Sequence, residues 1–334
     1  MLYLLLGLTV IISLFLLFLY PIVMDKADHE ATIRIPRNAT KDQVYDSIST
    51  HLGDEFATHV MRTAGILHSD VSTRHGMYVI NKGDNALSAA RRLTSGGQTP
   101  VRITINGFRS LPLLIERVSR KMEFPADSLR AVLTDPSFMA KYGLTPEQAL
   151  ALFIDDTYEV YWTTDARSTV EKIGKNYLYL WNEQNREIAR ELGVTPAEMM
   201  IVASIADEET NVAEEKGIIG KLYLNRLRNK MRLQADPTVR FAIGDFTIQR
   251  ISKEDLKKDS PYNTYLHSGL PPGPIRTTGM TTVKNILRAA PHDYLYMCAK
   301  EDFSGRHNFS DNYQDHLDNA ARYQAALDRR GIHR

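Results

Sequence analysis

One stretch near the middle of the chain dictates much of what can be built around it. Thr195-Pro196-Ala197-Glu198 is a capping box with proline at the first helical position, a strong start for a helix. Met199-Met200-Ile201-Val202-Ala203-Ser204-Ile205-Ala206 follows, almost wholly apolar. A helix apolar on most sides is buried, so a domain must wrap around it. Yet it runs into three successive carboxylates, Asp207-Glu208-Glu209, at its C-terminal end. There the helix dipole disfavours anions by a few tenths of a kcal/mol up to about 1 kcal/mol. Mutual repulsion and the desolvating apolar run act in the same direction, and all three effects raise a carboxyl pKa. A carboxylic acid kept protonated near neutral pH is what general-acid chemistry needs. Ile201, Ile205 and Glu209 fall at i, i+4, i+8, so Glu209 extends the apolar stripe; Glu208 lies beside it and Asp207 points away. The competing reading is a charged helix end that simply surfaces into solvent.

At 334 residues the chain has room for two domains beyond an anchor. Forty-one basic against 40 acidic residues create no global field for nucleic acid or another polyanion. Hydrophobic residues, 43% of the chain, suffice for a core. The single Cys298 excludes an intramolecular disulfide framework and a cysteine-rich zinc site. Its setting, Tyr294–Ala299, reads as a buried strand carrying a packed thiol. From Met1 to Met24 no side chain is charged, and Leu2 to Tyr20 is nearly all Leu, Ile, Val and Phe. A bilayer core takes roughly 20 such residues in a helix. With no basic leader and no small-x-small cleavage site, the expectation is an uncleaved transmembrane anchor over 1–24. Lys26, Arg34 and Arg37 follow it and no Lys or Arg precedes it, a bias that alone leans towards the body lying inside.

Beyond the anchor the pattern is α+β. Ala31–Pro36 alternates as a strand, Thr40-Lys41-Asp42-Gln43 caps a helix through Val44, Ile48 and Leu52, and Gly76–Ile80 reads as a strand. Asn85–Thr94 reads as a helix and Pro100–Ile105 as a strand, closing a small domain over 25–107 that suits binding or spacing. A larger mixed α+β domain over 108–334 holds the carboxylates. Helices are expected over Leu111–Met122, Ala126–Thr134 and Pro146–Phe153, with an extended Tyr158–Trp162. A long helix from Ser168 to about Leu192 precedes the buried one, and another from Val212 to Lys230 follows it. Arg232–Val239 reads as polar and kinked, Ser268–Ile275 as a stiff turn-rich loop, Gly305–Ser310 as a loop or strand end, and Tyr313–Arg330 as a helix.

Several chemistries drop out. G-x-S-x-G, H-E-x-x-H and G-x-G-x-x-G are absent. Gly217-Ile218-Ile219-Gly220-Lys221-Leu222 has the wrong spacing for a phosphate loop, and Leu222 has no oxygen for magnesium. The histidines are scattered without ligand spacing, so no metal and no cofactor is expected. What remains is carboxylate chemistry beside loops rich in Asn, Gln and Tyr, residue types suited to stacking on sugars and bonding their hydroxyl and acetamido groups.

Ala203–Thr210, Asn225-Arg226-Leu227, Arg232–Val239, Tyr262–Tyr265 and Gly269–Ile275 closely resemble, in order and spacing, the YceG-like, MltG-type endolytic murein transglycosylases. The resemblance covers roughly Asp156 to Phe309. It implies a membrane anchor, a small LysM-like domain at 25–107, and catalysis by the glutamate before the threonine, here Glu209 before Thr210. Asp207 and Glu208 stand where the family pattern has Glu then Lys, which leaves Glu208 and Glu209 both in view. Gln234, Asp236, Tyr262, Asn263, Tyr265 and His307 are the candidate substrate contacts. The implied substrate is the peptidoglycan glycan strand and the implied product a 1,6-anhydromuramic end. The implied place is the cytoplasmic membrane, catalytic domain outside, beside peptidoglycan synthases. A two-carboxylate muramidase using Asp236 with Glu209, and a non-catalytic peptidoglycan-binding scaffold, are the other readings.

Overall fold

The chain, described over residues 2–248 and 250–331 by a computed structural model, divides into two units of mixed α+β structure. One holds residues up to Ile103 together with Val118–Pro125 and Glu159–Ala166; the other holds Thr104–Arg117, Ala126–Tyr158 and the chain from Arg167 onward.

The apolar N-terminal stretch forms α1 (Leu2–Phe18) and a short α2 (Tyr20–Met24) with Pro21 in its first turn. Proline cannot donate to the helix ladder, so the single helix expected through Met24 is interrupted. Among the described residues no helix is long and apolar enough to cross a membrane. The 17 residues of α1 rise roughly 25 Å, against a hydrocarbon core of roughly 30 Å. The expected span over 1–24 is thus not one continuous helix among the described residues, and Met1 lies outside them.

β1 (Ala31–Ile35), α3 (Lys41–Leu52), α4 (Asp54–Ile66) and β2 (Gly76–Ile80) form a strand–helix–helix–strand unit. β1 and β2 pair antiparallel from Ala31↔Ile80 to Ile35↔Gly76. The capping box at Thr40 is formed, its hydroxyl accepting from Gln43 N at 3.2 Å. Alternation turns Ile33, Ile35, Tyr78 and Ile80 inward onto Val44, Ile48, Phe56 and Val60. Burying each large apolar side chain contributes roughly 1.5–3 kcal/mol. No side-chain cap announces α4, which begins after Gly53 at φ 86°, and the sequence reading passed over it. α5 (Ala86–Thr94), capped by Asn85, and β3 (Val101–Ile105) follow as expected.

The second unit contains α6 (Leu111–Ser119) as far as Arg117, α7 (Ala126–Thr134), α8 (Pro136–Ala140), a 3-10 turn at Pro146–Leu152 and β4 (Asp156–Val160) as far as Tyr158. The long helix expected from Ser168 is two: α9 (Ala166–Leu180) and α10 (Glu183–Glu191). Asn182 breaks it by capping α10, its Oδ1 accepting from Asn185 N at 3.0 Å, while Trp181 is buried. The buried helix is α11 (Pro196–Glu209), with its capping box intact and every side chain from Met199 to Ala206 inside.

α12 (Ala213–Arg228), α13 (Asp236–Ile243), α14 (Met280–Arg288), the antiparallel hairpin β5 (Tyr296–Ala299)–β6 (His307–Ser310) and α15 (Tyr313–Arg329) complete the unit. Gly217 and Gly220 are packing residues: a Cβ there would stand 2.8 Å from Asn285 O and 2.4 Å from Ile286 Cγ1, so they let α12 close on α14. The turn-rich loop lies against the buried helix, Ile275 N donating to Ser204 Oγ at 3.1 Å. Two expectations change. Asp236–Ile243 is helical, because Pro237 sits in a first turn that needs no donor from it. Strand β5 is only half-buried, because one side of it faces a cleft.

Candidate active site

The three carboxylates at the end of α11 meet three different environments. Asp207 is buried and accepts from Lys216 Nζ at 2.6 Å, Thr282 Oγ1 at 2.7 Å and the Thr278 hydroxyl. Glu208, its side chain 5% exposed, is clasped by Arg109 through Nε at 2.8 Å and Nη2 at 2.9 Å and by Arg276 Nη1 at 3.0 Å. Both are neutralised by cations, which makes them structural anchors of the helix end. Glu209 has no ion pair within 4.0 Å among the described residues. Its Oε1 accepts the Tyr223 hydroxyl at 2.5 Å.

Burial pushes the Glu209 pKa up to about 7, against the bond from Tyr223, which favours the carboxylate. The charge of Asp236 raises it further, Arg240 partly offsets this, and Glu208 adds a smaller push. Desolvation therefore dominates, with the flanking acids secondary. A carboxyl with a pKa near 7 holds its proton about half the time at neutral pH, poised to give and to take one.

Glu209 opens into a cleft of about 410 Å³ lined also by Tyr223, Arg226, Gln234, Asp236 and Tyr265, and on its other side by β5, His307, Tyr313 and His316. Gln234, Asp236, Tyr265 and His307 of the sequence-derived set thus meet Glu209 in one place. Two elements carry them. Gln234 N donates to Thr264 O at 3.2 Å and Ala235 N to Thr264 Oγ1 at 3.0 Å, stitching the segment before α13 to the Tyr262–Tyr265 loop. Tyr265 Oη donates to Asp236 Oδ1 at 2.6 Å across that seam. Gln234 has φ 50°, a left-handed conformation that costs a non-glycine residue about 1–2 kcal/mol.

Asn263 and Tyr262 lie elsewhere. Asn263 is fully buried, its amide donating to Leu256 O at 2.9 Å and Lys258 O at 2.8 Å while Oδ1 accepts from Tyr265 N at 3.0 Å. Its side chain is spent on holding the loop that presents Tyr265. Tyr262 packs its ring at a tilt against Phe241, centroids 4.6 Å apart, in a separate cavity with Arg109 and Phe246.

The sequence reading missed Tyr223 and Arg226, which share a face of α12 at i, i+3, and Glu215 on the same helix. Glu215 is buried and takes both the backbone N of His307 at 2.9 Å and its Nδ1 at 2.8 Å. That places the Nδ1 proton against Glu215 and leaves Nε2 as the ring nitrogen available to a ligand. Among the described residues no group of three His, Cys, Asp or Glu side chains is arranged to hold a metal ion.

The sequence profile of the YceG-like family matches residues 33–322. The chain is 28% identical over 244 residues to an endolytic murein transglycosylase of Bacillus subtilis, covering 68% of this chain and 67% of that protein. It is 30% identical over 135 residues to an endolytic murein transglycosylase of Streptococcus pneumoniae, covering 39% of this chain but only 24% of the larger protein. A crystal structure of a putative yceG-like protein from Listeria monocytogenes superposes with a TM-score of 0.54 at 22% identity, covering 87% of this chain and 99% of that one, which is a likeness of fold. With the family profile spanning both units and a shared fold beside it, the chain belongs to the YceG-like family.

Proposed function

We propose that the chain is an endolytic peptidoglycan lytic transglycosylase, cleaving between N-acetylmuramic acid and N-acetylglucosamine inside glycan strands. The observation that carries this reading is the carboxyl of Glu209, bonded by Tyr223 without an ion pair among the described residues and held near pKa 7 by burial where it lines a polar, aromatic cleft. The relatives named endolytic murein transglycosylases support it. Protonated Glu209 gives its proton to the glycosidic oxygen as the C1–O bond breaks. The resulting carboxylate takes the proton of the muramoyl 6-hydroxyl as O6 closes onto C1, giving a 1,6-anhydro ring and regenerating the acid. Water does not enter the balance, so a second catalytic carboxylate is not required. Tyr223 fixes one oxygen of Glu209 and leaves the other to face the strand.

Asp236 in the same cleft favours a second reading, a muramidase in which it activates water. Digestion of purified sacculi in ¹⁸O-water followed by mass spectrometry decides between the two. Anhydro-ended fragments free of label support the lytic reading; labelled reducing ends support hydrolysis; a Glu209→Gln protein that still releases anhydro ends at the wild-type rate overturns both assignments of Glu209.

In this proposal the apolar N-terminal segment tethers the chain to the cytoplasmic membrane with the cleft on the outer face, where glycan is, near peptidoglycan synthases. The exposed apolar side chains of α1, among them Val10, Phe15 and Leu17, support a lipid contact. The strand–helix–helix–strand order of the first unit supports a LysM-like, glycan-holding role.

A further inference from the structure

Arg226 is a cation in the cleft whose charge no acid balances. Among the described residues it makes no ion pair, whereas Arg109 and Arg276 are taken by Glu208 and Lys216 by Asp207. Its Nη2 donates to Gln234 Oε1 at 2.7 Å, its guanidinium lies 5.8 Å from the Tyr296 ring centroid, and its Nε is buried without a hydrogen-bond partner. The neighbouring His316, stacked on Tyr296 at 5.3 Å, is kept towards its neutral form by burial and by Arg226 itself. Gln234, which accepts from the guanidinium, is the residue held at φ 50°. Strained backbone of this kind persists where the surroundings hold a side chain to a task. Here the strained residue steers an amide oxygen onto Arg226 Nη2, while the guanidinium, with no bond from Nη1 among the described residues, lines the cleft a strand would fill. A guanidinium fork with free donors matches a carboxylate in charge and in geometry.

We propose that Arg226, positioned by Gln234, seats a carboxylate borne by the glycan strand, and so selects acidic muramoyl strands over uncharged N-acetylglucosamine polymers. The inference rests on the glycan-strand reading of the cleft. A strand offers this chemistry from two sources, the lactyl carboxyl of a muramoyl residue stripped of its peptide, or a carboxylate of the peptide stem.

The test is equilibrium binding to the full-length Glu209→Gln protein, which keeps strands intact. The ligands are peptide-free strands, stem-bearing strands, and both after amidation of their carboxyls. The expected result is that carboxylate strands bind about tenfold tighter than amidated ones, the size of one charge-assisted hydrogen bond. Adding Arg226→Met erases that ratio and leaves amidated strands within about twofold, as a purely electrostatic contact requires. Arg226→Lys, which keeps the charge without the fork, retains part of the ratio, and Gln234→Ala lowers it. Loss confined to peptide-free strands assigns the lactyl carboxyl, and loss confined to stem-bearing strands assigns the stem. Equal weakening of charged and amidated strands by Arg226→Lys and Gln234→Ala, or no change in either, overturns the proposal. A Glu209→Gln protein that binds strands without regard to charge overturns this inference alone, whereas one that binds no strand of any kind overturns the glycan reading with it.

Discussion

Tyr223 donates its hydroxyl to Glu209 across 2.5 Å, from the middle of one helix to the last residue of another. That bond favours the carboxylate form, and the charge of Asp236 works against it. Removing each should therefore move the acid in opposite directions. Tyr223→Phe raises the Glu209 pKa, so the high-pH limb of the activity profile, where the acid form is lost, shifts upward. Asp236→Asn lowers it and shifts the same limb downward. Initial rates of fragment release across pH 5–9 measure both, and shifts of the same sign would refute the assignment of Glu209 as the acid.

Stability carries the same signature. The Glu209 carboxyl titrates near 7 in the folded chain against 4.5 when unperturbed. The unfolded chain thus gives up this proton first as pH rises. The folded state is penalised progressively from pH 4.5 to about 7 and by about 3 kcal/mol above that. Glu209→Gln removes the penalty. The variant should be inactive, equal to wild type in stability at pH 4, and more stable by up to about 3 kcal/mol at pH 8. Denaturant unfolding of both proteins at the two pH values checks this.

Its neighbour should behave in the reverse manner. Glu208 is a buried anion with three bonds from Arg109 and Arg276. Glu208→Gln leaves Arg109 without its acid and Arg276 with only Asp155 at 3.9 Å, and should cost about 3 kcal/mol of stability, typical for breaking a buried pair. The folded fraction should keep most of its chemistry, because Glu208 does not line the cleft and is the smallest of the influences on Glu209. Specific activity of the folded protein and its unfolding midpoint, measured side by side, separate the two glutamates.

How much of this was legible in the chain follows from the range of the interactions. Helix α11 and its buried character were written locally, in a capping box and an apolar run, and the structure has Pro196–Glu209 helical and its apolar run buried. The high pKa of Glu209 follows from the sequence only in part. The sequence presents three acids repelling one another, but Asp207 meets Lys216 nine residues away and Glu208 meets arginines 68 and 99 residues away. Such pairings depend on how distant segments cross, which periodicity does not encode. The same limit hid Tyr223 and Arg226, whose role depends on which face of α12 turns to α11. Asn182 was a different failure: its capping signal was present but lay inside a longer helical pattern that masked it.

Asn263 gives the last test, because its loop block and its burial assign it different tasks. As a substrate contact it would alter binding while leaving the fold intact. Fully buried, with two donors and one acceptor bonded to its own loop, it acts instead by holding Tyr265 against Asp236. Asn263→Ala strands two backbone carbonyls and one backbone N–H, and should cost about 2–3 kcal/mol. With Tyr265 released, the Asp236 carboxylate loses the phenol that shares its charge, and its effect on Glu209 grows. Asn263→Ala should thus lower the unfolding midpoint and also shift the high-pH limb of activity upward, a coupling that a direct sugar contact would not produce. Tyr265→Phe should reproduce the pH shift with a much smaller loss of stability, since the phenol is only partly buried. Comparing the two variants in one set of pH profiles and unfolding curves separates the scaffold role of Asn263 from the electrostatic role of Tyr265.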